Sequence, residues 1–348
     1  MVEQQQVLDA LSKVKDPELN RNLVELGMVK DLVISPDGGV GFTLALTIPG
    51  CPMKEQMERD ARAAVSAIPG VNAVNITIGT LNEEERKKIF ANGTPHLPKL
   101  NSFNKVKRVI AVMSGKGGVG KSSVTALLAC ELARACKKVG ILDADITGPS
   151  IPKLFGLPAG GLRGGKQGIL PAVTGLGIKV VSTNLMVPTE DAAVIWRGPM
   201  IAGMIQQFWG DVLWGSLDVL LVDLPPGTSD ASLTVMQSLP VNGVVLVTSP
   251  QQLAGMVVKK ASAMLKQLNV PVLAVVENMS YYVCPGCGEK HEIFGPSHLD
   301  DLMLTVGGQT TARLPLDQTL TTLSDAGRIE DYDAAKIAVL EQVVKQLD

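Results

Sequence analysis

Residues Ser114–Ser122 read Ser-Gly-Lys-Gly-Gly-Val-Gly-Lys-Ser, a glycine-rich run between an apolar stretch, Val109–Val112, and a helix-like segment, Val124–Ala135. A strand, a glycine-rich loop and a helix in that order make a phosphate cradle. Backbone N–H groups converge on phosphate oxygens, the helix start adds partial positive charge, and a lysine reaches the outer phosphates. The nucleotide-binding set is therefore Gly115, Lys116, Gly117, Gly118, Val119, Gly120, Lys121, Ser122 and Ser123. Lys121 is expected on the β- and γ-phosphates of ATP, and Ser122 is expected to ligate Mg²⁺.

Three carboxylates follow at strand ends. Asp143 and Asp145 close the run Ile141-Leu142-Asp143-Ala144-Asp145, and Asp223 closes Leu220-Leu221-Val222 before Leu224-Pro225-Pro226-Gly227. In an open α/β sheet the carboxyl ends of strands face the ligand crevice. Asp145 is placed to orient the attacking water and Asp223 to hold the metal's outer shell. Asp143 supports the metal through water or caps the next segment, the latter being the commoner use of such an Asp. Lys121, Asp145 and Asp223 are the expected catalytic group.

A second chemistry lies at Cys284-Pro285-Gly286-Cys287. Two thiols at this spacing present both sulfurs to one metal centre, but a pair does not complete a four-thiolate site. Two copies of the chain about a twofold axis would supply four, satisfying a [4Fe-4S] cluster or Zn²⁺ about equally well. His291, close by, reads as a surface residue. Cys130 and Cys136 read as buried small hydrophobes within the helix after the loop.

These groups need two folded units. Residues 1–80 read as a small α+β domain, with helices at Gln5–Val14 and Cys51–Ile68 and strands at Val29–Ile34, Val40–Ile48 and Ala73–Ile78. Residues 81–104, with a charged run and prolines, read as a tether that lets this domain move. Residues 105–348 read as a doubly wound, mostly parallel α/β unit. Its apolar strands recur at Val109–Met113, Val139–Leu142, Ile178–Ser182, Val219–Val222, Val244–Thr248 and Val272–Val276, with Gly156–Gly177 as a loop. Hydrophobic residues are 46% of the chain and aromatics only 3%, which suits a parallel sheet filled by aliphatic side chains.

A formal net charge of −2 gives no global attraction to nucleic acid or anionic lipid. The start of the chain lacks the pattern of a secretory signal, and no run is long enough to span a bilayer. A cytoplasmic setting with reduced thiols is expected. The amphipathic C-terminal stretch carries Ile337, Leu340, Val344 and Leu347 on one face and is expected to pack on the core rather than bind a membrane.

Gly-Lys-Gly-Gly-Val-Gly-Lys-Ser, with its second lysine, resembles the deviant loop of the MinD/ParA-like nucleotide switches. That resemblance implies a nucleotide-bridged homodimer in which Lys116 reaches the nucleotide of the facing subunit and joins the catalytic group. Together with Asp143-Ala144-Asp145, Val222-Asp223-Leu224-Pro225-Pro226-Gly227-Thr228, Glu277-Asn278-Met279-Ser280 and Cys284-Pro285-Gly286-Cys287, the chain resembles the Mrp/ApbC iron–sulfur carrier ATPases from about Val106 to Gly327. Threonine is common in that family where this chain has Ser123.

The resemblance implies a transferable [4Fe-4S] cluster held between subunits by Cys284 and Cys287, loading or delivery governed by ATP, and Asn278 as an adenine contact. Donor scaffolds and apo iron–sulfur client proteins are the implied partners. Asp16-Pro17-Glu18-Leu19, Leu23-Val24-Glu25-Leu26-Gly27 and Thr47-Ile48-Pro49-Gly50-Cys51-Pro52 resemble the small domain of iron–sulfur assembly factors. Cys51, opening a helix, is either a structural residue or a thiolate that hands over iron or cluster. The competing readings are a MinD/ParA-type positioning switch and a zinc-stabilised nucleotide-binding module.

Overall fold

A computed structural model describes the chain apart from residues 1, 17–20, 47–53, 82–99, 147, 166, 188–197, 228–229 and 348, and without the side chains of 54–55, 198–200, 202, 230–231, 234 and 252–257. It divides into two units, Met1–His96 and Leu97–Asp348.

In the first unit, strands β1 (Val29–Ile34), β2 (Gly39–Leu46) and β3 (Ala73–Thr80) form one sheet in that order. β1 and β2 are antiparallel through a tight turn, while β2 and β3 are parallel, so a crossover must join them. Helix α2 (Lys54–Ser66) supplies it; α1 (Gln4–Leu11) precedes the sheet. Val40, Phe42 and Leu44 alternate into the core on β2 and meet Leu11, Met57 and Val65. Cys51, residues 82–99 of the expected tether, the Thr47–Pro52 motif and all of the Asp16–Leu19 motif but Asp16 lie outside the described residues.

Among the described residues of the second unit, nine strands form its main sheet. These are β4 (Lys105–Ser114), β5 (Val139–Asp143), β8 (Ala172–Val173), β9 (Lys179–Val181), β10 (Ser216–Asp223), β11 (Gly243–Thr248), β12 (Val272–Val283), β13 (Lys290–His291) and β14 (Thr310–Leu316). Their order is β13-β12-β11-β4-β10-β5-β9-β8, with β14 also on β12. All pairings are parallel except the two short edges, β12–β13 and β8–β9.

Strand β4 shows why the sequence reads as an unbroken apolar run. Ile110 and Val112 enter one core, with Leu127, Leu128 and Leu132 of α3 (Lys121–Arg134) and with the C-terminal Leu340 and Leu347. Val109, Ala111 and Met113 enter the other, with Phe208, Val258 and Leu302 from helices on the opposite face. A strand covered on both sides has no polar face to display. Arg108 fixes the C-terminus further, donating to the Gln346 carbonyl at 3.0 Å.

Several parts of the chain differ from the sequence reading. Strand β12 runs seven residues past Val276, reaching the residue before Cys284, and β14 beside it was not foreseen. Within Gly156–Gly177, Arg163–Gly165 (β6) and Gly168–Leu170 (β7) form an antiparallel hairpin rather than an irregular loop. Cys130 is fully buried as expected, but Cys136 lies beyond the end of α3, exposed, with φ +60°. No helix among the described residues is long and apolar enough to cross a membrane.

Candidate functional site

The crevice forms at the carboxyl ends of β4, β5 and β10. Register sets Asp223 opposite Val112 on β4 and opposite Asp143 on β5, so the two carboxylates are neighbours on adjacent parallel strands. Between β4 and α3, Gly118 and Gly120 take φ of +80° and +79°, a region open to glycine. The resulting cavity of about 250 Å³ is lined by Ser114, Gly117, Gly118, Gly120, Lys121, Ser122, Ser123, Asp145, Ser150 and Pro226, among others.

Asp223 is the hub. Its Oδ2 accepts from Lys121 Nζ and from Ser122 Oγ, each at 2.6 Å, and its Oδ1 accepts from Thr125 Oγ1 at 2.6 Å. Lys121 and Asp223 are both buried, so the pair works at low dielectric, where a missing partner is costly. Thr125 was not singled out from the sequence: its position, one helical turn after Lys121, gives no motif signal. The donor set fits Mg²⁺ and phosphate. Ser122 Oγ lies beside a carboxylate, and the buried Oγ of Ser114, which lines the same cavity, has no hydrogen-bond partner among the described residues.

Asp143 takes the capping role. Its carboxylate accepts from the Ser182 hydroxyl at 3.0 Å and from the backbone N–H groups of Asp145 and Ile151 at 3.2 and 3.4 Å. Complete burial, and then the charge of Asp223, push its pKa up to about 8. Asp145 lines the cavity one residue beyond the strand end's neighbour, Ala144. Lys116 is exposed, with Nζ 3.3 Å from Gln251 Oε1.

Asn278, expected at the adenine, donates through Nδ2 to the Val119 carbonyl at 2.9 Å. A Cβ at Gly120 would stand 2.2 Å from that nitrogen, so glycine is required there on two counts. This amide holds the phosphate loop from behind. Between it and the thiols, Met279 takes φ +55° and the β12–β14 register shifts between Glu277 and Tyr281. The Arg313 guanidinium spans the irregularity, donating to Ser280 Oγ at 2.7 Å and lying 3.5 Å from buried Glu277.

Cys284 and Cys287 sit in the turn that ends β12. The Cys284 N–H donates to the Glu289 carbonyl at 2.9 Å and the Gly288 N–H to the Cys284 carbonyl at 2.8 Å. Cys287 is exposed and Cys284 partly so. The backbone N–H groups of Cys287 and Gly286, and then the Cys287 thiol, hold the Cys284 pKa below the ordinary thiol value. Cys130 is the opposite case: burial pushes it up to about 12.

The doubly wound sheet, the loop from β4 into α3 and the Asp223 hub define a P-loop NTPase. The family described as NUBPL iron-transfer P-loop NTPase matches residues 105–348, and an iron–sulfur cluster assembly protein family matches 4–78. The chain belongs to the ParA/NUBPL iron-transfer P-loop NTPase family, preceded by an iron–sulfur assembly-type domain. A Synechocystis protein named iron–sulfur cluster carrier protein is 38% identical, the match covering 98% of this chain and 96% of that one. A Deinococcus radiodurans protein of the same name is 41% identical over 92% of this chain and 87% of its own. Among solved structures, a nucleotide-binding protein from Archaeoglobus fulgidus in complex with ADP, with cobalt found, is 49% identical with a TM-score of 0.60. It covers 66% of this chain and 89% of its own. The cell division ATPase MinD of Pyrococcus furiosus, 21% identical with a TM-score of 0.50 over 69% of this chain and 97% of its own, shares the fold.

Proposed function

We propose that this chain is an ATP-hydrolysing iron–sulfur cluster carrier that binds a [4Fe-4S] cluster as cargo between two copies of itself and passes it to apo-proteins. The observation that carries the reading is that one strand serves both sites. Asn278 on β12 holds the phosphate loop, and six residues on the same strand leads into Cys284. A shift of the loop on nucleotide exchange has a short covalent route to the thiols. The carrier name of full-length relatives agrees with this assignment.

In the hydrolytic step, water attacks the γ-phosphorus and ADP leaves with the β–γ bridging oxygen. Lys121 steadies the outer phosphates, and Asp145 orients the water from the cavity wall. Ser122 and Asp223 are the groups that would hold Mg²⁺, which offsets phosphate charge when bound. Lys116, exposed at the rim, is assigned to the nucleotide of the facing subunit. Turnover is slow on this account, since no strong general base lines the described cavity and the output is conformational.

Against the positioning-switch alternative, Ile337, Leu340, Val343 and Leu347 of the amphipathic C-terminal stretch are buried in the core. Domain limits at 80 and 105, a cytoplasmic setting and client transfer stand with the proposal.

Anaerobic reconstitution of the full chain with iron and sulfide is the test. The expected product is a brown dimer with one four-iron cluster per two chains, absent from Cys284→Ala and Cys287→Ala, that activates an apo iron–sulfur enzyme. A brown species formed equally by both variants, or a cluster-loaded monomer, defeats the assignment.

A further inference from the structure

The thiol turn carries more ligands than the two cysteines. β13 returns antiparallel beside β12, with Tyr282 opposite His291 and Val283 opposite Lys290. Along such a strand alternate side chains share a face, so Glu289 and His291 project together while Lys290 and Glu292 project the other way. The second face is tied down. The Lys290 ammonium lies 4.7 Å from the Tyr281 ring centroid, and Glu292 accepts from Arg313 at 2.9 Å. The first face gathers Cys287, Glu289 and His291, whose ligand atoms lie within 4.8 Å of one another. His291 Nε2 and Glu289 Oε2 are 4.0 Å apart, and the Cys287 thiol also donates to Cys284.

We propose that Cys284, Cys287, Glu289 and His291 form a mononuclear divalent-metal site within a single chain. Two thiolates, one imidazole and one carboxylate are a tetrahedral set suited to a borderline-soft ion such as Zn²⁺ or Co²⁺. Binding releases the two thiol protons to solvent and leaves the metal's oxidation state unchanged. The hairpin's fixed back face limits the rearrangement needed to exposed side chains in a turn. Because this site uses the same sulfurs as the shared cluster, an ion-loaded monomer and a cluster-bridged dimer exclude one another. The inference rests on the thiols as metal ligands and not on cluster transfer.

Anaerobic titration of the reduced full chain with Co²⁺ alone tests it, with light scattering to give mass. One ion per chain is expected, with a thiolate charge-transfer band, the strong visible bands of tetrahedral cobalt, and a monomer. His291→Ala should weaken binding at least about tenfold and alter the visible bands, with Glu289→Gln showing a smaller loss. Both residues are exposed, so ADP binding by the variants serves as the folding control. Cobalt spectra and affinity unchanged in both variants, or half an ion per chain in a dimer, overturn the inference. Failure of cluster reconstitution beside a normal cobalt site would instead remove the carrier assignment and leave this site standing.

Discussion

At the scale of single residues, Asp223 concentrates the chemistry. Three side chains donate to it, and Lys121 has its charge balanced there in a buried setting. Asp223→Ala leaves an uncompensated buried ammonium, a loss of about 3–5 kcal/mol in stability alongside lost ATP hydrolysis; urea denaturation of both proteins measures it. Asp143 makes a separate prediction. Its folded pKa, raised to about 8, lies above the unfolded value of 3.8, so the folded chain keeps a proton that the unfolded chain releases. Its stabilising contribution is therefore full below about pH 4 and is lost as pH rises toward about 8. Denaturation midpoints of the nucleotide-free protein should fall across that window. Asp143→Asn, which cannot titrate, should flatten the slope; parallel slopes would refute the assignment.

At the scale of elements, β12 matters most. It passes through the sheet beside β11, supports the phosphate loop through Asn278, bends at Met279 and ends at the thiols. Asn278→Ala removes the hydrogen bond to Val119 and leaves a buried carbonyl unpaired, at a cost of about 1–3 kcal/mol. The more telling readout is coupling. ATP should alter cluster release from the wild type and do so much less in the variant, while cluster loading stays normal. Equal ATP dependence in the two proteins would show that the signal takes another route. Residue spacing did not foresee this arrangement, because an Asn-Met-Ser run in an apolar strand has no distinctive periodicity and the bend depends on pairing with β14.

At the scale of the whole molecule, the second unit presents one sulfur pair per chain, and a four-iron cargo asks for two pairs. Mixing wild-type chains with the Cys284→Ser/Cys287→Ser double variant before reconstitution should reduce cluster yield as the square of the wild-type fraction. A linear fall would mean that one chain suffices. The first unit has its own core around Val40, Phe42 and Leu44 and its own sheet.

What the chain declares by itself is whatever its chemistry encodes locally. The phosphate loop, the strand-end carboxylates and the thiol pair are short runs whose residue types have few alternative uses, and β4 and β10 announce burial on both faces through the apolar runs Val109–Met113 and Val219–Val222. Tertiary structure alone decided which groups meet across long separations. Thr125 reaches Asp223 over 98 residues, Asn278 reaches Val119 over 159, and Glu289 and His291 join Cys287 only once β13 folds back on β12. Such contacts depend on strand order and register, which are set by the packing of the entire sheet and leave no mark on the residues between.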